Sequence, residues 1–144
     1  MNIASILASK GREVVTIGPR QTVRQAVRVL AAHNIGALVV VGEADRPVGI
    51  VSERDIVREA ARNERVFTRT VAAIMTKDLI IGQPQDDLSS VGHTMTERRI
   101  RHLPVMDGGR LVGIVSIGDV VKAQRDRYQG EVETLQTQLL DDRV

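Results

Sequence analysis

Gly49-Ile50-Val51-Ser52-Glu53-Arg54-Asp55-Ile56-Val57 returns later in the chain as Gly113-Ile114-Val115-Ser116-Ile117-Gly118-Asp119-Val120-Val121. Both copies keep an apolar Gly-Ile-Val run and a serine followed three residues on by an aspartate. The run reads as a buried strand, and Ser-x-x-acid ahead of apolar residues at helical spacing reads as the start of a helix. One strand-to-helix unit is therefore written twice, and the rest of the chain falls into register around it.

Ahead of the first copy, Ile3, Ile6 and Leu7 have helical spacing that Lys10-Gly11 ends, and Val14 to Ile17 is short and β-branched like a strand. Pro19 turns the chain. Thr22 and Gln25 have capping-box spacing before Val23, Ala26, Val27 and Leu30, the apolar face of a helix that reaches His33-Asn34. Ile35 to Val41 and Val48 to Val51 read as strands around the polar turn Glu43 to Pro47, and Ser52 opens a helix to about Arg62. The second half repeats this order. Thr70 to Met75 resembles the leading helix, Leu79 to Ile81 is a short strand, and Asp87 caps a helix carrying Leu88, Val91 and Met95. Strands Ile100 to Met106 and Leu111 to Val115 then flank Asp107-Gly108-Gly109. The offset between copies is one residue shorter at Ser52/Ser116 than at Ile35/Ile100, so a residue is lost in the intervening turn, where length changes are cheap.

The pattern is α+β (mixed α/β): two βαββα-type repeats, each behind a leading helix. A half of roughly 60–70 residues buries too little surface to be comfortable alone, and the apolar face of each small sheet needs cover. Packing the repeats sheet to sheet supplies it, with pseudo-twofold symmetry and related clefts between the halves. The expected division is residues 1–65 for the first repeat with its leading helix, 66–127 for the second, and 128–144 for a C-terminal helical tail. In the tail, Tyr128, Val132, Leu135 and Leu139 form a narrow apolar stripe that either folds back on the module or pairs with a second subunit, while Gly130 weakens the helix.

Composition narrows the function. No apolar run in the 144 residues approaches the roughly 20 needed to span a bilayer, and Met1-Asn2-Ile3-Ala4-Ser5 lacks a secretory pattern, so a cytoplasmic location without membrane contact is expected. The absence of cysteine excludes disulfides, thiolate metal sites and a cysteine nucleophile. A net charge of +2, with Phe67 and Tyr128 as the only aromatics, gives neither strong nonspecific attraction to nucleic acid nor a platform for stacking bases. Arg98-Arg99-Ile100-Arg101 reads as a solvated or phosphate-facing cluster. His33, His93 and His102 show no metal-ligand spacing, and no nucleophile elbow, Walker loop or dinucleotide fingerprint is present. Asp86-Asp87 and Asp141-Asp142 fit a solvated turn and tail. A non-enzyme with no metal and no obligatory cofactor is expected.

The Ser52/Asp55 and Ser116/Asp119 pairs admit two accounts. In one, they are helix caps: the hydroxyl satisfies a free amide and the acid complements the helix dipole. In the other, the same geometry is a binding site, with amides and a hydroxyl for an anion and a carboxylate for the two hydroxyls of a ribose.

Taken in order, the motifs Ile35-Gly36-Ala37-Leu38-Val39-Val40 to Gly49-Ile50-Val51-Ser52-Glu53-Arg54-Asp55, and Ile100-Arg101-His102-Leu103-Pro104-Val105 to Gly113-Ile114-Val115-Ser116-Ile117-Gly118-Asp119, are similar to the CBS domain family, named for cystathionine β-synthase. The resemblance covers nearly the whole chain as a tandem pair, a Bateman module. It implies a sensor rather than a catalyst, with AMP, ADP or ATP as regulatory ligand and S-adenosylmethionine as a further candidate, bound in clefts between the repeats. It implies ribose contacts for Asp55 and Asp119, and places Ser52 and Ser116 near ribose or phosphate. Each cleft would mix repeats, joining Asp119 to Ile35, Gly36, Ala37 and the Ser9-Lys10 loop, and Asp55 to Ile100, Arg101, His102 and Thr76-Lys77. Arg101 and His102 can hold phosphate oxygens where Gly36 and Ala37 cannot, so the clefts are expected to differ, with the tighter phosphate site at Asp55 and Arg101. Arg54 and Lys77 read more simply as surface charges. Leu7 to Glu13 is longer than Met75 to Asp78, which leaves the equivalence of Ser9 and Thr76 open. The resemblance further implies a homodimer that signals to a separate effector protein. The alternative is a ligand-independent dimerisation or interaction module docking on an effector enzyme or transporter, which the tail stripe favours.

Overall fold

The computed structural model describes residues 1–11 and 13–141. Arg12 of the first lead-in loop, and the tail beyond Asp141 with Asp142 of the acidic pair, lie outside the described residues.

In the first half, α1 (Ile3–Lys10) is capped by Asn2 and ends at Gly11, whose φ of 100° favours glycine. β1 (Thr16–Ile17) is followed by α2 (Val23–His33), which starts on the expected Thr22–Gln25 capping box and ends at Asn34 in the left-handed region. β2 (Ala37–Val41), β3 (Pro47–Ser52) and α3 (Glu53–Arg62) complete it. The second half contains α4 (Val71–Ile74), α5 (Leu88–Glu97) on its Asp87 cap, β4 (His102–Asp107), β5 (Arg110–Ser116) and α6 (Ile117–Asp141).

β1 runs parallel to β2, and β2 pairs antiparallel with β3. β4 and β5 form the matching antiparallel hairpin, and the register slips at the same place in both, between Val40 and Val41 and between Val105 and Met106. The lost residue falls in the hairpin turn, where Gly108 and Gly109, with φ of 56° and 81°, close the second copy tightly. The expected strand Leu79–Ile81 does not form. Only Gly82 reaches the second sheet, donating to the Pro104 carbonyl and accepting from the Met106 amide, each at 2.9 Å. The backbone passes there beneath Leu103 and Ile3, and a β-carbon on Gly82 would lie 2.6 Å from Leu103 Cδ2, so contact is confined to a residue without a side chain.

The core divides in two, and the leading helices are exchanged between the parts. Ile3, Ile6 and Leu7 of α1 pack with Leu88, Met95, Leu103 and Val115 of the second half. Val71 of α4 packs with Val23, Leu30, Leu38 and Val51 of the first. Grouping α1 with residues 1–65 therefore follows chain order but not packing. Backbone hydrogen bonds hold both exchanges: Ile3 and Ala4 donate to Asp86 and Pro84, while Val71 and Ala72 donate to Gln21 and Pro19. The glycines opening the repeated motif make room for the exchanged segments. A β-carbon on Gly113 would sit 2.5 Å from Leu7 Cδ2, and one on Gly49 would sit 2.5 Å from Met75 Sδ and 3.0 Å from the Thr76 carbonyl.

Leu38, Val40 and Val51 face the helices of their own half, yet Ala37, Val39 and Ile50 on the reverse face of the sheet are buried too, as is Pro104 in the second sheet. Burial on both faces is what two sheets laid against each other produce. One acid is buried as well: Glu59 of α3 holds Arg62 and Arg69, tying α3 to the segment that leads into α4. Burial disfavours its charge, but the two guanidiniums outweigh this and keep it below the ordinary carboxylate range.

α6 continues through Gly130, and its far end does not fold back. Tyr128, Leu135 and Leu139 are 68%, 59% and 62% exposed, because only the first turns of the helix, with Val120 and Ala123, reach the core. Among the described residues no helix is long and apolar enough to cross a membrane.

Gly49→Ala should cost about 1–3 kcal/mol, the usual penalty for overpacking, since both Met75 and the Thr76 backbone would have to move. Chemical denaturation of the variant against the parent measures it.

Candidate functional site

The repeated motif brings the start of each hairpin against the start of the following helix. Register places Ala37 opposite Ser52 and His102 opposite Ser116. The Glu53 amide donates to the Gly36 carbonyl and the Ile117 amide to the Arg101 carbonyl, both at 2.9 Å. Each serine then caps its helix: the Asp55 amide donates to Ser52 Oγ at 3.2 Å, and the Asp119 amide to Ser116 Oγ at 3.0 Å. In return the Ser52 and Ser116 amides each donate to the Oδ2 of their aspartate at 2.9 Å. The capping account thus holds in both copies, and it engages the same carboxylate oxygen in each.

The segments exchanged between the halves supply what differs. Thr76 forms a backbone bridge with Ile50, donating to its carbonyl at 2.8 Å, while its hydroxyl donates to Asp55 Oδ1 at 3.3 Å. In the other copy the carbonyl of Ile114, the counterpart of Ile50, accepts from Lys10 Nζ at 2.9 Å, and the same ammonium lies 2.6 Å from Asp119 Oδ2. One lysine thus meets the counterparts of the backbone carbonyl and the carboxylate that an amide and a hydroxyl of Thr76 meet, but at Oδ2 rather than Oδ1. The counterpart of Thr76 is Lys10; Ser9 is exposed at the end of α1. Length explains the change, because the longer first loop lets α1 run on until its last residue reaches the carboxylate.

His102 is half-buried at this junction. Burial lowers its pKa, the neighbouring Lys10 and Arg101 lower it further, and Asp119 and Glu53 oppose them, so the ring is neutral at pH 7. Burial disfavours the Asp119 carboxylate, but Lys10 and the amide and hydroxyl of Ser116 outweigh it and hold the group below the ordinary carboxylate range. Arg101, Lys77 and Arg54 are exposed, while Ile35, Gly36 and Ile100 are half-buried and Ala37 is buried. Among the described residues no hydrogen bond joins Asp119 to Ile35, Gly36 or Ala37, or Asp55 to Ile100, Arg101 or His102.

Glu53 was missed by the sequence reading. A β-carbon on Gly36 would lie 3.2 Å from its Oε1, and its charge acts on His102 across the halves. In sequence it looks like one more acid in the first turn of a helix, which hides that role. His33 and His93 are exposed on their helices, and among the described residues no group of three or more His, Asp or Glu is arranged to hold a metal ion. An open cavity of about 330 Å³ lies between residues 80–82, Leu103 and α5, and one of about 660 Å³ lies beside the hairpin tips at Asp45 and Arg110. Neither is lined by Asp55 or Asp119.

The same two-copy pattern is found in known proteins. The CBS domain family matches residues 7–62 and again 71–126. The chain belongs to that family. Its tandem CBS pair is 37% identical over 142 residues to the CBS domain-containing protein CBSX3, mitochondrial, of Arabidopsis thaliana, covering 92% of this chain and 69% of that one. Among solved structures, the CBS-domain containing protein ATU1752 from Agrobacterium tumefaciens is 40% identical with a TM-score of 0.82, over 86% of this chain and 99% of that one. The CBS domain pair of protein MJ0100, crystallised in complex with 5′-methylthioadenosine and S-adenosyl-L-methionine, is 27% identical with a TM-score of 0.78, over 88% of this chain and 98% of that one.

The lowered pKa of the histidine at the junction predicts a sensitivity to mild acid. Because the His102 pKa lies below its ordinary 6.5, the unfolded chain takes up the proton first, so the contribution of the neutral ring is complete above pH 6.5 and is lost as pH falls from there through the lower folded-state pKa. The carboxylates Asp119 and Glu59, held below their ordinary range, lose theirs only at lower pH. Melting temperatures should therefore fall between pH 7.5 and 5.5, and His102→Asn should flatten that slope.

Proposed function

We propose that this CBS pair is a regulatory sensor that binds an adenosine-containing ligand, AMP, ADP or ATP foremost and S-adenosylmethionine besides, and signals its presence to a separate effector protein. The observation carrying this is the matched pair of carboxylates, each at a helix N-terminus and each met by a segment exchanged from the other half. A carboxylate so placed accepts ribose hydroxyls, while the helix amides and the serine hydroxyl suit a phosphate. Asp55 and Asp119 take the ribose, Ser52 and Ser116 stand beside it, and Ile35, Gly36, Ala37 and Ile100 offer backbone and apolar surface to the base. The adenosyl ligands of the MJ0100 pair support this chemistry. Since Lys10 and Thr76 help hold the halves together, a ligand that engages the same carboxylates binds two arrangements of the halves unequally and shifts their populations.

A side-by-side homodimer in the cytoplasm belongs to this role. Val57 and Val121 occupy the same place in the two repeats and are 68% and 57% exposed, which gives a second copy two equivalent apolar contacts.

Thermal unfolding with AMP, ATP or S-adenosylmethionine tests the sensor. A ligand at about 100 times its dissociation constant should add about 2.7 kcal/mol to stability, and no response to any of the three sinks the proposal. Asp55→Asn, which keeps an acceptor for the Ser52 amide, should weaken binding while leaving the unliganded melting temperature nearly unchanged; a large loss of stability at constant affinity would reduce Asp55 to a cap.

The exposed stripe on α6 favours a second role, ligand-independent association. Tyr128, Val132, Leu135 and Leu139 keep the 4-3-4 spacing of a coiled-coil seam on a helix that leaves the core. If that seam assembles the protein, Leu135→Asp with Leu139→Asp should lower the mass seen by light scattering without altering nucleotide affinity.

A further inference from the structure

We infer that Lys10 sets the charge of the ligand accepted at Asp119: on the adenosyl reading above, this cleft selects a 5′-phosphorylated ligand, whereas the Asp55 cleft, with Thr76 in the equivalent place, accepts uncharged or cationic adenosyl compounds at least as well. The two carboxylates have the same caps and differ in the group facing them, an ammonium 2.6 Å from Asp119 and a hydroxyl 3.3 Å from Asp55. A carboxylate that holds the 2′ and 3′ hydroxyls of a ribose sits on the ring edge away from the 5′ position, yet its uncompensated charge still repels a phosphate carried at that position of the same ligand. Lys10 cancels that charge at Asp119, and a neutral hydroxyl leaves it standing at Asp55.

The ammonium also has a donor to spare. Of its three N–H groups, one meets Asp119 Oδ2 and one the Ile114 carbonyl, which leaves the third for a phosphate oxygen. Asp119 Oδ1 has no donor among the described residues, so a ribose hydroxyl can be accepted without displacing the lysine. This reverses the order suggested by Arg101, which is exposed at the strand end and whose hydrogen bond among the described residues is made by its carbonyl.

Isothermal titration with AMP and with adenosine, at low salt and pH 7.5, tests the inference. Lys10→Met should lower AMP affinity at one site about tenfold and change adenosine affinity less than about threefold, as expected for loss of one charge-assisted hydrogen bond. Lys10→Arg should retain the preference, which separates lost charge from lost folding. Thr76→Lys should create a second site that prefers AMP. Equal weakening of both ligands by Lys10→Met, or no change in either, overturns the inference and leaves Lys10 as a strut between α1 and β5. Parent protein that binds neither AMP nor adenosine overturns the inference, and failure to bind ATP and S-adenosylmethionine as well overturns the adenosyl reading itself.

Discussion

Leu7 fills the space that Gly113 leaves open, and Met75 fills the space beside Gly49. Through these two contacts each half completes its core with a segment that chain order assigns to the other. Neither half of a chain this size has apolar surface to spare, so the exchange turns two marginal cores into one cooperative unit. It also constrains the repeated motif. The residue opening each Gly-Ile-Val run must lack a β-carbon because another segment occupies that volume, and the strand that follows carries the serine and aspartate of the helix cap.

The exchange decides the chemistry of the clefts as well. Because the leading segments cross between the halves, their last residues arrive at the edges of β3 and β5 beside the capped carboxylates. The two arrivals are not alike. Thr76 closes its edge with a backbone bridge and a hydroxyl, and Lys10 closes the other with an ammonium. A device that joins the halves therefore also distinguishes the clefts, and on the proposed function a ligand engaging either carboxylate acts on that junction. Capping and binding are compatible at Asp119, where the cap and Lys10 engage Oδ2 and Oδ1 has no donor among the described residues, while at Asp55 a ligand shares Oδ1 with the Thr76 hydroxyl.

Much of this was legible in the sequence. The Ser-x-x-Asp spacing gave both capping boxes, the Thr22–Gln25 pair gave a third helix start, and the one-residue offset between copies located the shorter hairpin turn. The family resemblance put the Ser9-Lys10 loop with Asp119 and Thr76-Lys77 with Asp55, and within those pairs it is Lys10 and Thr76 that touch the carboxylates. The strand at Leu79–Ile81 was misread because a β-branched, apolar composition reports burial and extension but not whether a partner has room to pair. Glu53 was passed over because an acid in the first turn of a helix already has a local explanation.

Periodicity, capping spacing and duplication are properties of neighbouring residues, so the sequence by itself determined the helices, the hairpins and the fact that one unit occurs twice. Which core receives which leading helix, whether the tail stripe is covered, and which side chain stands opposite each aspartate depend on contacts between residues far apart in the chain. Those only the tertiary structure decided. Lys10 and Asp119 are separated by most of the chain, and nothing local marks the lysine, rather than the serine before it, as the counterpart of Thr76. The length of α1 and the space left by a glycine on β5 do that together.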